Sequence, residues 1–414
     1  MADKNMLIIQ GGGPSAVINA SLAGAITHAM ASPQVNTIYG AINGLQGLLE
    51  RRVINISQQI TTDAQLKLLA KTPAHALGTS RYKLPHNNPA IFDEILAILE
   101  SFNIGYLLFI GGNDSMDSIC RLSAFFADKG KDIKAVGIPK TIDNDLAVTD
   151  HSPGFGSAAK FVATITAELY LDTIVYPASA VTIIEIMGRN AGWLAASSVL
   201  ARQSGVLAPH LIYLPEVTFD PEAFLQDAAQ LIEREKQIVI AVSEGIRLAD
   251  GSYLAETGAA EDMFGHKTLG GVATVLEEML KEHLQNDKLK TRAIQLNTLQ
   301  RSAAHLGSAV DSDEAFQCGL RGAQAVLKGS SEVMISMHRA AEGPYAISYD
   351  ESPLIEIANI EKKIPPEWIT PRGNDVTADM VAYLKPLVNG ESSELMQDGL
   401  PAFFRFDWAK TVTP

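Results

Sequence analysis

Short apolar runs recur along this chain, and each stops at a glycine or a polar residue. Leu7–Ile9 leads into Gln10-Gly11, Tyr106–Ile110 into Gly111-Gly112, and Ile133–Ile138 into Pro139-Lys140. Val181–Ile186 leads into Met187-Gly188-Arg189, and Ile238–Val242 into Ser243-Glu244-Gly245. Near-continuous apolar runs of this length predict strands covered on both faces. Helical patterns lie between them, over Ala16–Met30, Ala90–Phe102, Met116–Lys129, Ser157–Leu171, Pro221–Glu235 and Thr268–Leu284. Strands alternating with helices predict a parallel, doubly wound sheet. In such sheets ligands bind beyond the carboxyl ends of the strands. Every polar cluster just named sits at such an end, which points to one composite site.

The chain has 414 residues, enough for two domains with full cores. The strands fit either one sheet or two, the latter with a break near residue 150 and a return near 300. After residue 340, Pro-rich stretches such as Lys363-Ile364-Pro365-Pro366 predict an irregular extension. Hydrophobic residues at 47% and charged residues at 19% suit a globular enzyme. The net charge of −14 argues against a nucleic-acid partner, whose footprint is basic. It leaves anionic substrates open, because a site needs only a few converging cations. Cys120 and Cys318 are too few for a disulfide framework, so a reducing cytoplasm is expected. Neither a secretory signal nor a run of transmembrane length is visible, so no membrane partner is expected.

The most informative stretch is Gly137-Ile138-Pro139-Lys140-Thr141-Ile142-Asp143-Asn144-Asp145. It sets one Lys, one Thr hydroxyl and two carboxylates within six residues after a strand. Asp143 and Asp145 are two apart, so an extended segment turns both to one face. Carboxylates beside a fixed cation suit deprotonating a hydroxyl while neutralising a phosphate; taken alone, a polar strand-to-loop turn fits equally well. Gln10-Gly11-Gly12-Gly13-Pro14-Ser15 places glycines between a strand and a helix, where backbone N–H groups can meet a phosphate, with Pro14 in the first helical turn. A tight βα turn is the plain alternative. Gly111-Gly112-Asn113-Asp114-Ser115 repeats the arrangement, and Asp114 is either a helix cap, a metal ligand or a group filling space a ligand would use. Arg189, Glu244, Arg292, Arg301 and the Arg81 of Leu77-Gly78-Thr79-Ser80-Arg81 add charges that are ordinarily surface features when taken singly.

In this order and spacing the motifs resemble the phosphofructokinase family, over about residues 5 to 320. Lys140 in its GIPKTIDND segment and Asp114 in a Gly-Gly-x-Asp loop resemble the pyrophosphate-dependent branch; ATP-using members typically carry Gly at both positions. The resemblance implies an α/β fold of two doubly wound, mostly parallel three-layer (αβα) domains. Residues 1–150 with about 300–345 would form the larger, donor-binding domain. Residues 151–299 would form the smaller sugar-phosphate domain, and 346–414 a C-terminal extension.

The resemblance also implies roles. Asp143 would take the proton from the 1-hydroxyl of fructose 6-phosphate, and Asp145 would orient the substrate or support Mg²⁺. Thr141 and Ile142 would contact the substrate. Lys140 would bind the moving phosphoryl group, with Arg189 reaching it from another strand end. Asp114 would repel ATP. Gly11, Gly12, Gly13 and Arg81 would hold pyrophosphate. Met187, Gly188 and Glu244 would line the sugar, and Arg292, Thr298 and Arg301 the 6-phosphate end. Three departures stand out. Asn113 occupies a metal-binding Asp position, keeping one carbonyl oxygen without the charge. Ala180 stands where many members place an Arg, and Thr298 where they have an aromatic residue or His. The last two leave room for a longer sugar such as sedoheptulose 7-phosphate. The expected partners are pyrophosphate and fructose 6-phosphate, with Mg²⁺ as cofactor, in a homodimer or homotetramer. An ATP-dependent kinase of the same fold and a non-catalytic sugar-phosphate-binding regulatory subunit are the rival readings.

Overall fold

The apolar runs form strands, and the alternation of their side chains sets the layers. A computed structural model describes residues 4–80, 82–85, 88–261, 267–269, 271–286, 288–392 and 395–414. The chain divides into two compact units: residues 1–157, 301–361 and 390–414 make the first, and 158–300 and 362–389 the second. In chain order the first unit contributes β1 (Lys4–Gln10), β2 (Val35–Ala41), β3 (Val53–Asn55), β4 (Ile104–Gly111) and β5 (Lys134–Pro139). The second contributes β6 (Ala180–Ile186), β7 (Leu211–Tyr213), β8 (Gln237–Ser243), β9 (Glu256–Glu261), β10 (Lys267–Leu269) and β11 (Lys290–Gln295). The chain then returns to the first unit with β12 (Val333–Arg339) and β13 (Ile347–Pro353).

The first sheet runs β13-β12-β5-β4-β1-β2-β3. It is parallel except for β2 with β3 and β12 with β13. Leu7, Ile9, Leu107, Phe109 and Ala135 project to one face and pack with Ile95, Leu99, Met116 and Leu122. Those partners come from the helices Pro89–Ser101 and Asn113–Asp128. Ile8, Leu108, Ile110, Val136 and Ile138 project to the other face, against Leu22, Ile26, Cys318 and Val326. Those partners come from the helices Ile18–Ala31 and Ala309–Lys328. Both faces are buried, which is why these strands read as nearly unbroken apolar runs.

The second unit holds a parallel four-stranded sheet, β11-β6-β8-β7, and the β9–β10 pair. Val181, Ile183, Ile238 and Ile240 pack against Phe224, Ala228, Leu276 and Leu280. Among the described residues no helix is long and apolar enough to cross a membrane. The helix predicted from Thr268 begins instead at Val272, because Lys267–Leu269 pairs with β9. The C-terminal segment is not wholly irregular: it includes β13 and the helix Ala378–Leu384.

The helices Ile18–Ala31 and Ala309–Lys328 meet backbone to backbone at two glycines. A Cβ added at Gly24 would lie 2.0 Å from the Phe316 carbonyl oxygen, and one at Gly319 would lie 1.8 Å from that of Ser21. Neither backbone can yield without moving its helix off the sheet. The Gly319→Val protein should therefore lose about 3 kcal/mol of unfolding free energy, the upper part of the range for overpacking a dense core. Urea denaturation followed by circular dichroism checks this, and an unchanged midpoint contradicts the close approach.

Candidate active site

Three parallel strand ends build the site in the first unit. Gly11 N–H donates to the Ile110 carbonyl (2.9 Å), and Lys140 N–H donates to the Gly111 carbonyl (2.9 Å). The ends of β1, β4 and β5 are thus locked in step. A Cβ at Gly11 would lie 2.6 Å from Ser115 Oγ and 2.7 Å from the Phe109 ring, so only glycine lets the β1 and β4 loops meet. Gly12 has φ +75°, and a Cβ there would lie 3.1 Å from Lys140 Nζ. The backbone itself must therefore face whatever the lysine faces. Lys140 is 2% exposed and donates from Nζ to the Gly13 carbonyl (2.5 Å). Burial pulls its pKa down to about 8, against the opposing pull of Asp143 and Asp145.

The chain then turns back through Thr141–Asp145. Thr141 Oγ1 accepts from Asp143 N–H (3.1 Å), and Asn144 takes a left-handed φ of 55°. Buried Asn144 Oδ1 accepts from Ser152 N–H (3.0 Å), and Thr141 N–H donates to the Pro153 carbonyl (3.1 Å). Asn144 is thus the hinge that returns Asp145 toward Asp143. Burial, and then the Asp143 charge, push the Asp145 carboxyl up to about 7. Asp145 Oδ1 is buried with no hydrogen-bond partner among the described residues. Ile142 is 8% exposed and supports the turn from below. Arg301 lies beside the same loop: a Cβ at Gly13 would sit 3.8 Å from its guanidinium, and its charge also acts on Lys140.

Residues 72–80, of which the sequence reading singled out only the part from Leu77, brace the glycine loop. Gln10 Oε1 accepts from Leu77 N–H (3.0 Å), and Gln10 Nε2 donates to Asn19 Oδ1 (2.9 Å). Asn19 Nδ2 in turn holds the carbonyls of Thr72 and Ala74. This clamp presents Thr79 Oγ1 to the Gly12 carbonyl (3.0 Å) and His75 Nε2 to the Gly11 carbonyl (3.3 Å). Burial, then the Lys140 charge, push the His75 imidazole down to about 3, so it is neutral near pH 7. Polar residues buried at 0% exposure, Gln10 and Asn19, carry this arrangement; their only sequence signal is a polar residue inside an otherwise apolar strand and helix.

In the second unit β6 and β8 end side by side. Glu244 N–H donates to the Ile186 carbonyl (2.9 Å), Gly188 N–H donates to Glu244 Oε1 (3.4 Å), and Met187 N–H donates to Gln300 Oε1 (3.2 Å). Gly188 has φ +143°, and a Cβ at Gly245 would lie 1.9 Å from the Arg189 carbonyl oxygen. The two turns are therefore stacked, and they bring Met187, Gly188, Arg189 and Glu244 together. Arg189 Nε is buried with no partner among the described residues. A guanidinium held this way is ready for an anion.

Other expected residues lie on neighbouring elements. Arg292 lies inside edge strand β11, opposite Thr182, and pairs with Asp172. Thr298 is exposed in the turn before Leu299–Ser302. Pro14 precedes the helix, which starts at Ile18, and so does not occupy its first turn. The Asn113 amide is spent on the chain itself: Nδ2 donates to the Ile360 carbonyl (2.9 Å) and Oδ1 accepts from Asn359 N–H (2.7 Å). Asp114 sits in the first turn of its helix, 3.4 Å from Lys83 Nζ, with both side chains about half exposed. Arg81 lies outside the described residues.

Residues 5–326 match the phosphofructokinase family. The chain belongs to that family. A pyrophosphate–fructose 6-phosphate 1-phosphotransferase of Xanthomonas campestris pv. campestris is 40% identical over 408 residues, 97% of this chain and 96% of that one. A protein of the same name from Methylococcus capsulatus is 37% identical over the same shares of the two chains. The crystal structure of a pyrophosphate-dependent phosphofructokinase from Marinobacter aquaeolei matches with a TM-score of 0.87 at 35% identity, covering 99% of this chain and 97% of that one. In this phosphofructokinase the cation, the carboxylates and the glycine loop share one corner of the first unit.

The lowered pKa of Lys140 gives that corner a signature. The ammonium is charged at pH 7 and gives up its proton as the pH rises through about 8, well below the usual 10.5. Calorimetric pyrophosphate affinity should then weaken by roughly tenfold per pH unit above that point, as one linked proton requires. The Lys140→Gly protein should lack this dependence. A wild-type affinity that stays level to pH 10 contradicts the burial of the charge.

Proposed function

We propose that this protein transfers the phosphoryl group of pyrophosphate to the 1-hydroxyl of fructose 6-phosphate, giving fructose 1,6-bisphosphate and phosphate. The observation that carries the proposal is the buried Lys140 ammonium, held on the Gly13 carbonyl beside the Asp143–Asp145 pair. Asp143 takes the hydroxyl proton as the sugar oxygen attacks one phosphorus of pyrophosphate; the bridging P–O bond breaks, and the other half leaves as inorganic phosphate. Lys140 meets the charge that spreads over the transferring group, a contribution of roughly 3–4 kcal/mol by analogy with other preorganised groups. The Gly11–Gly13 backbone receives the donor, as does Arg81. Asp114 repels a nucleotide phosphate. Arg189, Met187, Gly188 and Glu244 take the sugar phosphate, with Thr141 and Ile142 against the reacting end. Arg301 serves the substrate phosphates from beside Gly13. Pyrophosphate and the sugar bisphosphate are comparable donors, so the reaction runs in both directions.

The chemistry fits Mg²⁺. A buried Asp145 oxygen without a partner, beside a second carboxylate, is the kind of incomplete oxygen set that Mg²⁺ completes with substrate phosphates and water. Asp143 and Asp145 would hold the ion, which neutralises phosphate charge when bound. A cytoplasmic setting suits the two free thiols, Cys120 and Cys318. Exposed Leu171, Val175 and Tyr176 support self-association of the second unit, in a homodimer or homotetramer. The ATP-dependent and regulatory readings are not favoured, because relatives matched over nearly their whole length carry the pyrophosphate name.

The Asp143→Asn enzyme tests the base. Its kcat should fall by about 10²–10⁴, with KM for both substrates within a few-fold of wild type. A kcat equal to wild type removes Asp143 from that role.

A further inference from the structure

The loop that carries the catalytic carboxylates rests on a second charge cluster, buried at His151 and Glu314 and partly exposed at Asp150 and Arg339. His151 is 1% exposed. Its Nδ1 lies 2.8 Å from Asp150 Oδ1 and its Nε2 lies 2.7 Å from Glu314 Oε2. A neutral imidazole has one N–H and can donate to only one of them. With both carboxylates ionised, both contacts are hydrogen bonds only when the ring carries two protons. The surroundings agree. Arg339 from β12 donates to Asp150 Oδ1 (2.9 Å), and Tyr345 donates to Glu314 Oε1 (2.5 Å). Asp311 and Cys318, on the same helix as Glu314, and Tyr349 on β13 are the further titratable groups coupled to this cluster. Two carboxylates beside the ring need two cations, and Arg339 supplies only one.

The cluster is tied to the Asp143–Asp145 turn through the six consecutive residues 149–154. Thr149 Oγ1 donates to the His151 carbonyl (2.9 Å) and accepts from Met337 N–H (3.0 Å). Asp150 N–H donates to the Met337 carbonyl (2.8 Å). Ser152 N–H then holds Asn144, and the Pro153 carbonyl holds Thr141. Gly154 N–H is anchored on Asp311 Oδ1 (2.8 Å). Residues 149–154 are thus fixed to β12 and the Ala309–Lys328 helix on one side, and to the catalytic turn on the other.

We infer that His151 is a positioning residue for the catalytic carboxylates: its imidazolium, clamped between Asp150 and Glu314, holds residues 149–154 and through them sets the Asp143–Asp145 turn. The inference rests on the proposed function for its kinetic consequence, though not for its structural one. Burial alone would lower the pKa of the ring, but the hydrogen bonds to Asp150 and Glu314 outweigh it and hold the ring above the ordinary 6.5. The sign follows. The stabilisation is fully present below pH 6.5 and is lost as the pH rises through the folded-state value. The cluster therefore predicts an alkaline limb in kcat at saturating substrates. The Lys140 limb is separate, because bound pyrophosphate favours the ammonium and moves its limb in kcat to higher pH, and because Glu314→Gln leaves the groups around Lys140 in place.

The test compares wild type with the Glu314→Gln enzyme, which keeps the packing but removes one clamping charge. Its kcat limb should move to lower pH by about one unit, with kcat at pH 6 and KM for pyrophosphate within twofold of wild type. Hydrogen exchange of the 140–154 segment, corrected for intrinsic rates, should lose protection over the same pH range, while β1 and β4 keep theirs. A limb that stays in place overturns the inference, as does a loss of protection spread evenly over the first unit. If Glu314→Gln fails to fold, the wild-type exchange profile decides alone: protection of 140–154 must fall with rising pH in a single-proton step. An enzyme without pyrophosphate turnover would overturn the proposed function, and the exchange measurement would still judge the clamp.

Discussion

The structure depends on a buried ammonium. Lys140 sits almost without solvent at the end of β5, and burying a charge is costly unless neighbours repay it. Here the repayment is partial: one carbonyl at Gly13 and the field of Asp143 and Asp145 leave the group easier to deprotonate than a free lysine. The carboxylates are in the complementary position, with Asp145 held toward neutrality by burial and by Asp143. Cation and anions are each undercompensated, within one turn of chain. Under the proposed function, pyrophosphate and Mg²⁺ would supply the missing charges of both signs. A transition state with spreading charge gains most from groups already desolvated and fixed in this way.

Fixing them takes most of the first unit. Glycines at 11 and 111 allow two strand ends to close on each other, since a Cβ at either would strike Ser115. Gln10 and Asn19 clamp residues 72–80 onto the glycine loop from one side, and the His151 cluster braces the carboxylate turn from the other. Beneath them the helices Ile18–Ala31 and Ala309–Lys328 approach through Gly24 and Gly319, which fixes the layer on which β1, β4 and β5 rest. Polar networks of this kind hold their members firmly only when every one is satisfied.

Much of this was legible in the sequence, for a reason specific to the fold. Strands buried on both faces read as unbroken apolar runs, so β1, β4, β5, β6 and β8 were visible, and with them the strand ends where the polar groups gather. β11, with the sequence Lys290-Thr291-Arg292-Ala293-Ile294-Gln295, was not visible, because an edge strand carries polar residues. β3 was too short to show a period, and the Ala309–Lys328 helix carries an acidic first turn and a modest apolar face. Among the site residues, Lys140, Asp143 and Asp145 stood out because they are adjacent in the chain. His75, Asn19, His151 and Glu314 did not, because their partners lie far away in sequence. Asn113 shows the same limit: its amide is bonded to residues 359 and 360, which no local pattern could reveal.

The most direct test of the account is a parallel turnover assay of fructose 6-phosphate with Mg²⁺ and either pyrophosphate or ATP, run on the wild-type protein and on its Asp114→Gly, Lys140→Gly double variant. The account predicts wild-type turnover with pyrophosphate and none with ATP, and loss of pyrophosphate use in the variant. Turnover of the wild type with ATP alone, or undiminished pyrophosphate use by the variant, would contradict it.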